Sequence, residues 1–266
     1  MKLYGVITID IVKSRTIPNR ELIQEKLNDY FKVIESIYSQ DIVSDISFTL
    51  GDEWQLITDK PQNCYRIVHD FQKLLWQDKL NIYAGIGIGE LKTKIYKDTR
   101  RMDGPCFYMA RDAIKIAKEG PKKKNSPIQS KLNRVYLKSV AKDLNQQKII
   151  RPNTETDNLQ LSEVAADIEL GSKIHIENLI NTIIENNEIL TGRLTNKQKI
   201  IYVEYQKLKS YRKIVEVNKG RFNETIGGIS QKLNSAEYFT IQRNHVTIEA
   251  LINSLLLQIK KCSEKI

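Results

Sequence analysis

The sequence predicts an α+β protein, on three observations. Strand and helix patterns alternate through the first half, helical patterns alone fill the last quarter, and the charge balance changes sharply between the two. Residues 3 to 12 are β-branched and apolar and read as a strand, with Val6-Ile7-Thr8-Ile9-Asp10-Ile11 at its centre. After the start signals Pro18-Asn19, residues 20 to 38 carry Leu22, Ile23, Leu27, Tyr30, Phe31, Ile34, Ile37 and Tyr38 at helical spacing. The runs Ile46-Ser47-Phe48-Thr49-Leu50 and Glu53-Trp54-Gln55-Leu56-Ile57 flank Gly51-Asp52, which is the signal of a tight hairpin.

A second helix is expected over about 61 to 77, a strand over 81 to 89 and a third helix over about 104 to 118. Arg134-Val135-Tyr136-Leu137 reads as a strand returning to the sheet. The resulting βαββαβ order specifies a ferredoxin-like antiparallel sheet, with the helices expected on one face and the other face free. Asp10 shares its strand face with Val6 and Thr8, and Asp52 shares parity with Phe48 and Leu50 if no bulge intervenes. Both acids are therefore expected to meet on the uncovered face. Each also has a plainer reading, as a turn cap or the partner of a nearby cation.

Composition divides the chain into a domain over 1 to 150, a helical connector over 151 to 190 and a second domain over 191 to 266. Residues 1 to 119 hold 18 Lys+Arg against 17 Asp+Glu, whereas residues 191 to 266 hold 14 against 6. The connector is acidic, with two basic residues against eight acidic ones and a helix expected around 174 to 188. Positive charge concentrated on a small helical segment is the footprint expected of nucleic-acid binding, and dimerisation or protein docking is the competing reading. The basic loop Gly120 to Pro127 is either a solvated connection or a phosphate contact.

The last segment opens at Thr195, a good N-cap for a helix over Lys197 to Leu208. A short helix over Tyr211 to Val217, a Gly-containing turn at 218 to 221 and a polar-faced helix after Asn223 complete a helix-turn-helix order. In that order Ile226, Ile229 and Leu233 dock the third helix. Gln231 and Asn234 become candidate base readers, with Ser230 and Lys232 nearer the phosphates of duplex DNA. A final apolar helix is expected over about 246 to 260.

Several classes are disfavoured. The chain has no apolar run of about 18 residues or more, and MKLYGVITID leads straight into a strand pattern. A cytoplasmic protein without membrane contact is expected. Cys64, Cys106 and Cys262 lie far apart, without disulfide or zinc spacing. His69, His175 and His245 have no mutual spacing for a metal or a nucleophile, and each reads as structural. Gly85-Ile86-Gly87-Ile88-Gly89 lacks the dinucleotide-binding arrangement; its glycines read instead as room for another backbone or a ligand against the sheet.

The stretches TIDIVKSR, LGDEWQLI, AGIGIGE and MDGPCFYMARDAIKIAKEG occur in the order and rough spacing found in class III nucleotidyl cyclases. Residues 3 to 118 resemble that catalytic domain, which shares a palm-like ferredoxin-type fold with the diguanylate cyclases. Nearly the whole chain resembles the SatD family, in which such a domain is paired with a helix-turn-helix tail. The resemblance implies metal binding by Asp10 and Asp52, with the Ile11 carbonyl as a further oxygen ligand. Leu50-Gly51-Asp52-Glu53-Trp54 stands where diguanylate cyclases carry GGDEF, keeping Gly51, Asp52 and Glu53.

Mg²⁺ or Mn²⁺ is the implied cofactor, since a hard cation takes one or two carboxylates plus triphosphate oxygens. The implied ligand is a nucleoside triphosphate or a nucleic-acid phosphate, received by the backbone and charges of Lys13, Ser14 and Arg15. The departures are specific. Phe48 replaces a base-reading Lys, leaving only stacking; Tyr108 and Asp112 stand at the ribose-orienting Asn and transition-state Arg positions, with Arg111 one residue early. The candidate catalytic set is thus Asp10, Asp52, Glu53 and Arg111, with the metal half kept and the transition-state half altered. A homodimer is implied, because cyclase sites form between two such domains.

Overall fold

The computed structural model describes residues 1–141, 175–220 and 223–264, so the proposed boundary near 150 and most of the connector lie outside the described residues. Five strands, β1 (Tyr4–Ile11), β2 (Ser47–Leu50), β3 (Glu53–Thr58), β4 (Ile82–Gly89) and β5 (Val135–Ser139), form one sheet in the order β2-β3-β1-β4-β5. The first four are antiparallel to their neighbours, and β5 runs parallel to β4. With α1 (Arg20–Ile37) and α2 (Cys64–Leu75), those four make the βαββαβ unit that the sequence predicts.

Period-two alternation explains what each face carries. Ile7, Ile9 and Ile11 of β1, Trp54 and Leu56 of β3, and Ala84, Ile86 and Ile88 of β4 form one apolar face. Leu27, Phe31 and Ile34 of α1, and Tyr65, Ile67, Val68, Phe71 and Leu75 of α2, cover it.

The opposite face is not free, contrary to the sequence expectation. α3 (Pro105–Glu119) lies on it, with Met102, Cys106, Phe107 and Ala110 packed against Tyr4, Val6 and Ile57. The reason is the missing side chains of β4. A Cβ at Gly87 would lie 2.1 Å from the Ala110 nitrogen, and one at Gly85 would lie 2.2 Å from the Ile114 nitrogen. Glycine on the strand and small residues on the helix let two backbones nearly touch.

Helix α4 (Ile176–Gly192) seals the outer edge of β5. The Asn181 amide accepts from Leu137 N–H at 2.8 Å and donates to Leu137 C=O at 2.9 Å, and Glu177 accepts from the Ser139 N–H and hydroxyl at 2.8 and 2.7 Å. Side chains thus pair with the β5 backbone on that edge and cover an aggregation-prone edge.

Among the described residues the remaining α-helices are α5 (Asn196–Leu208), α6 (Tyr211–Val217), α7 (Ile226–Ser235) and α8 (Tyr238–Ser263). Thr195 and Gln198 form a reciprocal capping box at the start of α5, and Thr225 caps α7 through the Gly228 N–H. Ile201, Tyr202, Ile214, Ile229 and Leu233 share a core with Tyr238 and Ile241. Ile226, expected to dock α7, is 46% exposed.

The last helix begins earlier than its apolar pattern suggests, at Tyr238, after Glu237 in a left-handed conformation. Its two halves serve different cores. Tyr238 and Ile241 belong to the α5–α7 cluster, while Ile248, Ile252, Leu255 and Ile259 join Ile180 and Ile184 under the sheet. Among the described residues no helix is long and apolar enough to cross a membrane.

Candidate functional site

The face covered by α3 grades from apolar to acidic along β1 and β3. The cross-strand pairs run Val6 with Ile57, Thr8 with Gln55, and Asp10 with Glu53. Gln55 donates to the Thr8 hydroxyl at 2.8 Å, and the next pair places two carboxylates side by side where α3 ends. Lys118, in the last turn of α3, reaches them, with its ammonium 2.7 Å from Asp10 and 3.6 Å from Glu53. Glu53 also accepts from the Thr49 hydroxyl at 3.0 Å.

Asp52 approaches from the hairpin turn. Gly51 has φ of 63° with open space around it, so glycine is favoured there by backbone conformation and not by packing. A register shift between Phe48 and Leu50 breaks the simple parity count. Its result is that Phe48 turns toward the helices, its ring 5.1 Å from that of Phe31. Asp52 nevertheless comes beside Asp10. Burial pushes the Asp10 carboxyl above its ordinary value; Lys118 opposes the rise and the adjacent Asp52 carboxylate adds to it.

One oxygen of Asp52 lies 3.6 Å from Arg20 at the start of α1, while the other, Oδ2, is buried without a partner. A buried carboxylate oxygen left unmatched calls for an explanation such as an ion or ligand group. Asp52 also borders a pocket of about 130 Å³ lined by Ile11, Ser14, Ile17, Arg20 and Gly51. Lys13 adopts a left-handed conformation at the turn leaving β1, and Lys13 and Arg15 are exposed. The segment expected to receive phosphate therefore lies at the same end of the sheet as the two acids.

Arg111 is not in this cluster. It is exposed on α3 seven residues before Lys118, about two helical turns or roughly 10 Å away. Asp112 pairs with Lys138 at 2.8 Å, and the Tyr108 hydroxyl donates to Asp103 at 2.7 Å. Sequence reasoning assigned no role to Lys118 or Arg20. Lys118 directly follows the buried series Ala110, Ala113, Ala117, so its position beside that stripe was the available signal.

On α7, Gln231 and Asn234 are exposed and Ser230 is half-buried. Lys232 pairs with Glu224 at 2.9 Å, and Lys197 of α5 pairs with the same carboxylate. His69 and His245, unrelated in sequence, meet in the interior with ring centroids 4.7 Å apart. Burial lowers both, His69 to about 3, so both are neutral structural rings.

No three His, Cys, Asp or Glu side chains among the described residues converge to hold a metal alone. A cation taken by Asp10 and Asp52 would complete its shell with water and ligand phosphate, which is the habit of Mg²⁺. The class defined by fold and site is thus an α+β protein with a βαββαβ sheet unit and a two-carboxylate strand end. The SatD family model matches residues 4–146, more than half of the chain, and the protein belongs to the SatD family.

Among solved structures, the guanylate cyclase domain of RhGC from Catenaria anguillulae in complex with GTP is similar at 16% identity, over 42% of this chain and 71% of that one, with a TM-score of 0.32. The catalytic core of a rhodopsin-guanylyl cyclase with converted specificity, in complex with ATPαS, aligns at 17% identity over the same shares, also with a TM-score of 0.32. No curated protein matches the chain.

Proposed function

We propose that the Asp10 and Asp52 end of the sheet binds a divalent cation, Mg²⁺ or Mn²⁺, together with the phosphates of a nucleoside triphosphate or a nucleic acid. In the same reading, α5, α6 and α7 act as a helix-turn-helix on duplex DNA, and the protein is a homodimeric regulator. The observation that carries the first part is the buried, unpartnered Asp52 Oδ2 beside Asp10, at the rim of the pocket that Ser14 and Arg20 line. The cation would neutralise and orient the phosphates there. Lys118 holds Asp10 and Glu53 when the cation is away, and yields as it arrives.

Binding without turnover is favoured over the rival reading, a metal-dependent nucleotidyl cyclase or nucleotidyltransferase. What favours it is the exposed Arg111 two turns from the acids, with Asp112 and Tyr108 engaged elsewhere. Incubation with Mg²⁺ or Mn²⁺ and each nucleoside triphosphate, with products resolved by chromatography, tests this. Product formation lost in Asp10→Asn and Asp52→Asn would establish the enzyme instead.

The DNA-binding part rests on the helix order and on exposed Gln231 and Asn234. Binding of the full chain to duplex DNA should weaken steeply as salt rises, because phosphate contacts release counterions. Gln231→Ala and Asn234→Ala should each relax base preference by about 1–3 kcal/mol. Absent or salt-independent binding would leave dimerisation or protein docking as the role of the basic segment.

A further inference from the structure

A second cavity lies at the same end of the sheet as the paired acids but on its other face, where α2 and the approach to β5 meet α4 and α5, and Ile82, the cross-strand partner of Ile11, is in its lining. It encloses about 210 Å³ between Trp76, Leu132, Arg134, Glu188, Thr191 and Lys199. Arg134 and Lys199 are both half-buried, and neither has an ion-pair partner among the described residues. Burial lowers the Lys199 ammonium, and the nearby Arg134 charge lowers it further. Its ammonium rests over the Trp76 ring at 5.4 Å.

The acid in the cavity, Glu188, feels the Arg134 charge but makes no ion pair with either cation among the described residues. Its oxygens already accept from the Tyr65 hydroxyl at 3.2 Å and the Gln72 amide at 2.9 Å. Burial pushes its carboxyl up to about 7, so much of it carries a proton at neutral pH. Two unmatched cations held together in a partly closed cavity are costly unless an anion joins them. The excess continues outward, since the adjoining groove shares Trp76 and Lys199 and adds Lys73, Lys79 and Lys207 against one acid, Glu204.

We propose that this cavity binds a phosphate dianion, free or as the monoester of a small molecule, with its oxygens on the Arg134 guanidinium and the Lys199 ammonium. Two cations match a dianion better than a single carboxylate, and the planar guanidinium fork suits phosphate geometry. Glu188, in its protonated form, donates to a phosphate oxygen rather than repelling it. Trp76 and Leu132 take the organic part of an ester. The ligand joins Arg134 before β5 to Lys199 on α5, and so clamps the α5 helix to the sheet unit.

Thermal unfolding of the full chain in EDTA, with inorganic phosphate or glycerol 3-phosphate against sodium chloride at matched ionic strength, tests the proposal. Both phosphates should raise Tm, since a ligand of the folded state stabilises it, and the larger rise identifies free phosphate or ester as the better occupant. The rise should vanish in Arg134→Gln and Lys199→Met and persist in Lys199→Arg, which keeps the charge. It should also persist in Asp52→Asn, so its outcome is separate from that of the cation site. No rise with either phosphate, or an equal rise in the two neutral variants, overturns the proposal. If a neutral variant fails to fold, calorimetric titration of the wild-type chain decides: saturation at one phosphate per chain supports the site, and lack of saturation overturns it.

Discussion

Replacing Gly87 by alanine should separate α3 from the sheet and disturb the acid site from a distance. The new Cβ would lie 2.1 Å from the Ala110 nitrogen and 2.2 Å from the Cys106 oxygen. Both obstacles are backbone atoms, so no rotamer change relieves the clash. The helix must retreat by about 1 Å, and overpacking a tight interior usually costs roughly 1–3 kcal/mol. With no side chain free to give way, the expected loss is at or above the upper end, about 3 kcal/mol.

Gly51→Ala is the control, since Gly51 has φ of 63° and nothing within 4 Å of an added Cβ. It should cost only about 1 kcal/mol, from backbone conformation alone. Urea unfolding measures both losses. Retreat of α3 also takes Lys118 away from Asp10, so the Asp10 carboxyl, followed by NMR, should titrate higher still in Gly87→Ala. A loss no greater than that of Gly51→Ala, with the Asp10 titration unchanged, would refute the close-packing argument.

Further outcomes follow from the buried charges. Removing the Lys118 ammonium in Lys118→Met should raise the Asp10 carboxyl and tighten Mg²⁺ binding about tenfold, or ~1.4 kcal/mol, as read by calorimetric titration. Asp52→Asn should leave the unliganded protein as stable as wild type or up to about 1 kcal/mol more stable in urea, because the neutral amide ends the repulsion with the adjacent Asp10 carboxylate and can donate to it. Glu188, raised to about 7 from an ordinary 4.5, binds more protons folded than unfolded in that interval, so its contribution to stability falls as pH rises through the interval. The full swing is at most about 3 kcal/mol. His69, lowered to about 3 from 6.5, acts oppositely and costs stability as pH falls below about 6.5. Urea unfolding between about pH 5 and about pH 8 should therefore show a steeper rise of stability with pH in Glu188→Gln than in wild type.

The succession of strands and helices along the chain and most element limits are legible in the sequence, because β1, β3 and β4 alternate cleanly and the hairpin carries Gly51-Asp52. The glycines of β4 correctly signal a close backbone neighbour. Which backbone it is depends on the face that α3 takes, and a single apolar stripe does not specify that. Assigning α3 to the wrong face hides Lys118, since only the opposite placement brings it to Asp10. The nearness of Asp10 and Asp52 survives the bulge at Phe48 because both sit at the same end of neighbouring strands. Phe48 itself does not follow the parity count, and its ring packs on Phe31, which in turn packs on Trp54. The contact of His69 with His245 and the double duty of α8 arise from tertiary packing across distant segments, where local periodicity carries no signal.

The most direct test of the central claim is calorimetric titration of the full chain with each nucleoside triphosphate in the presence and absence of Mg²⁺ or Mn²⁺. Saturable binding that requires the cation, and that is lost in both Asp10→Asn and Asp52→Asn while each variant still unfolds cooperatively, is the predicted result. Absence of cation-dependent binding with every triphosphate, or binding unchanged in the two variants, would contradict it.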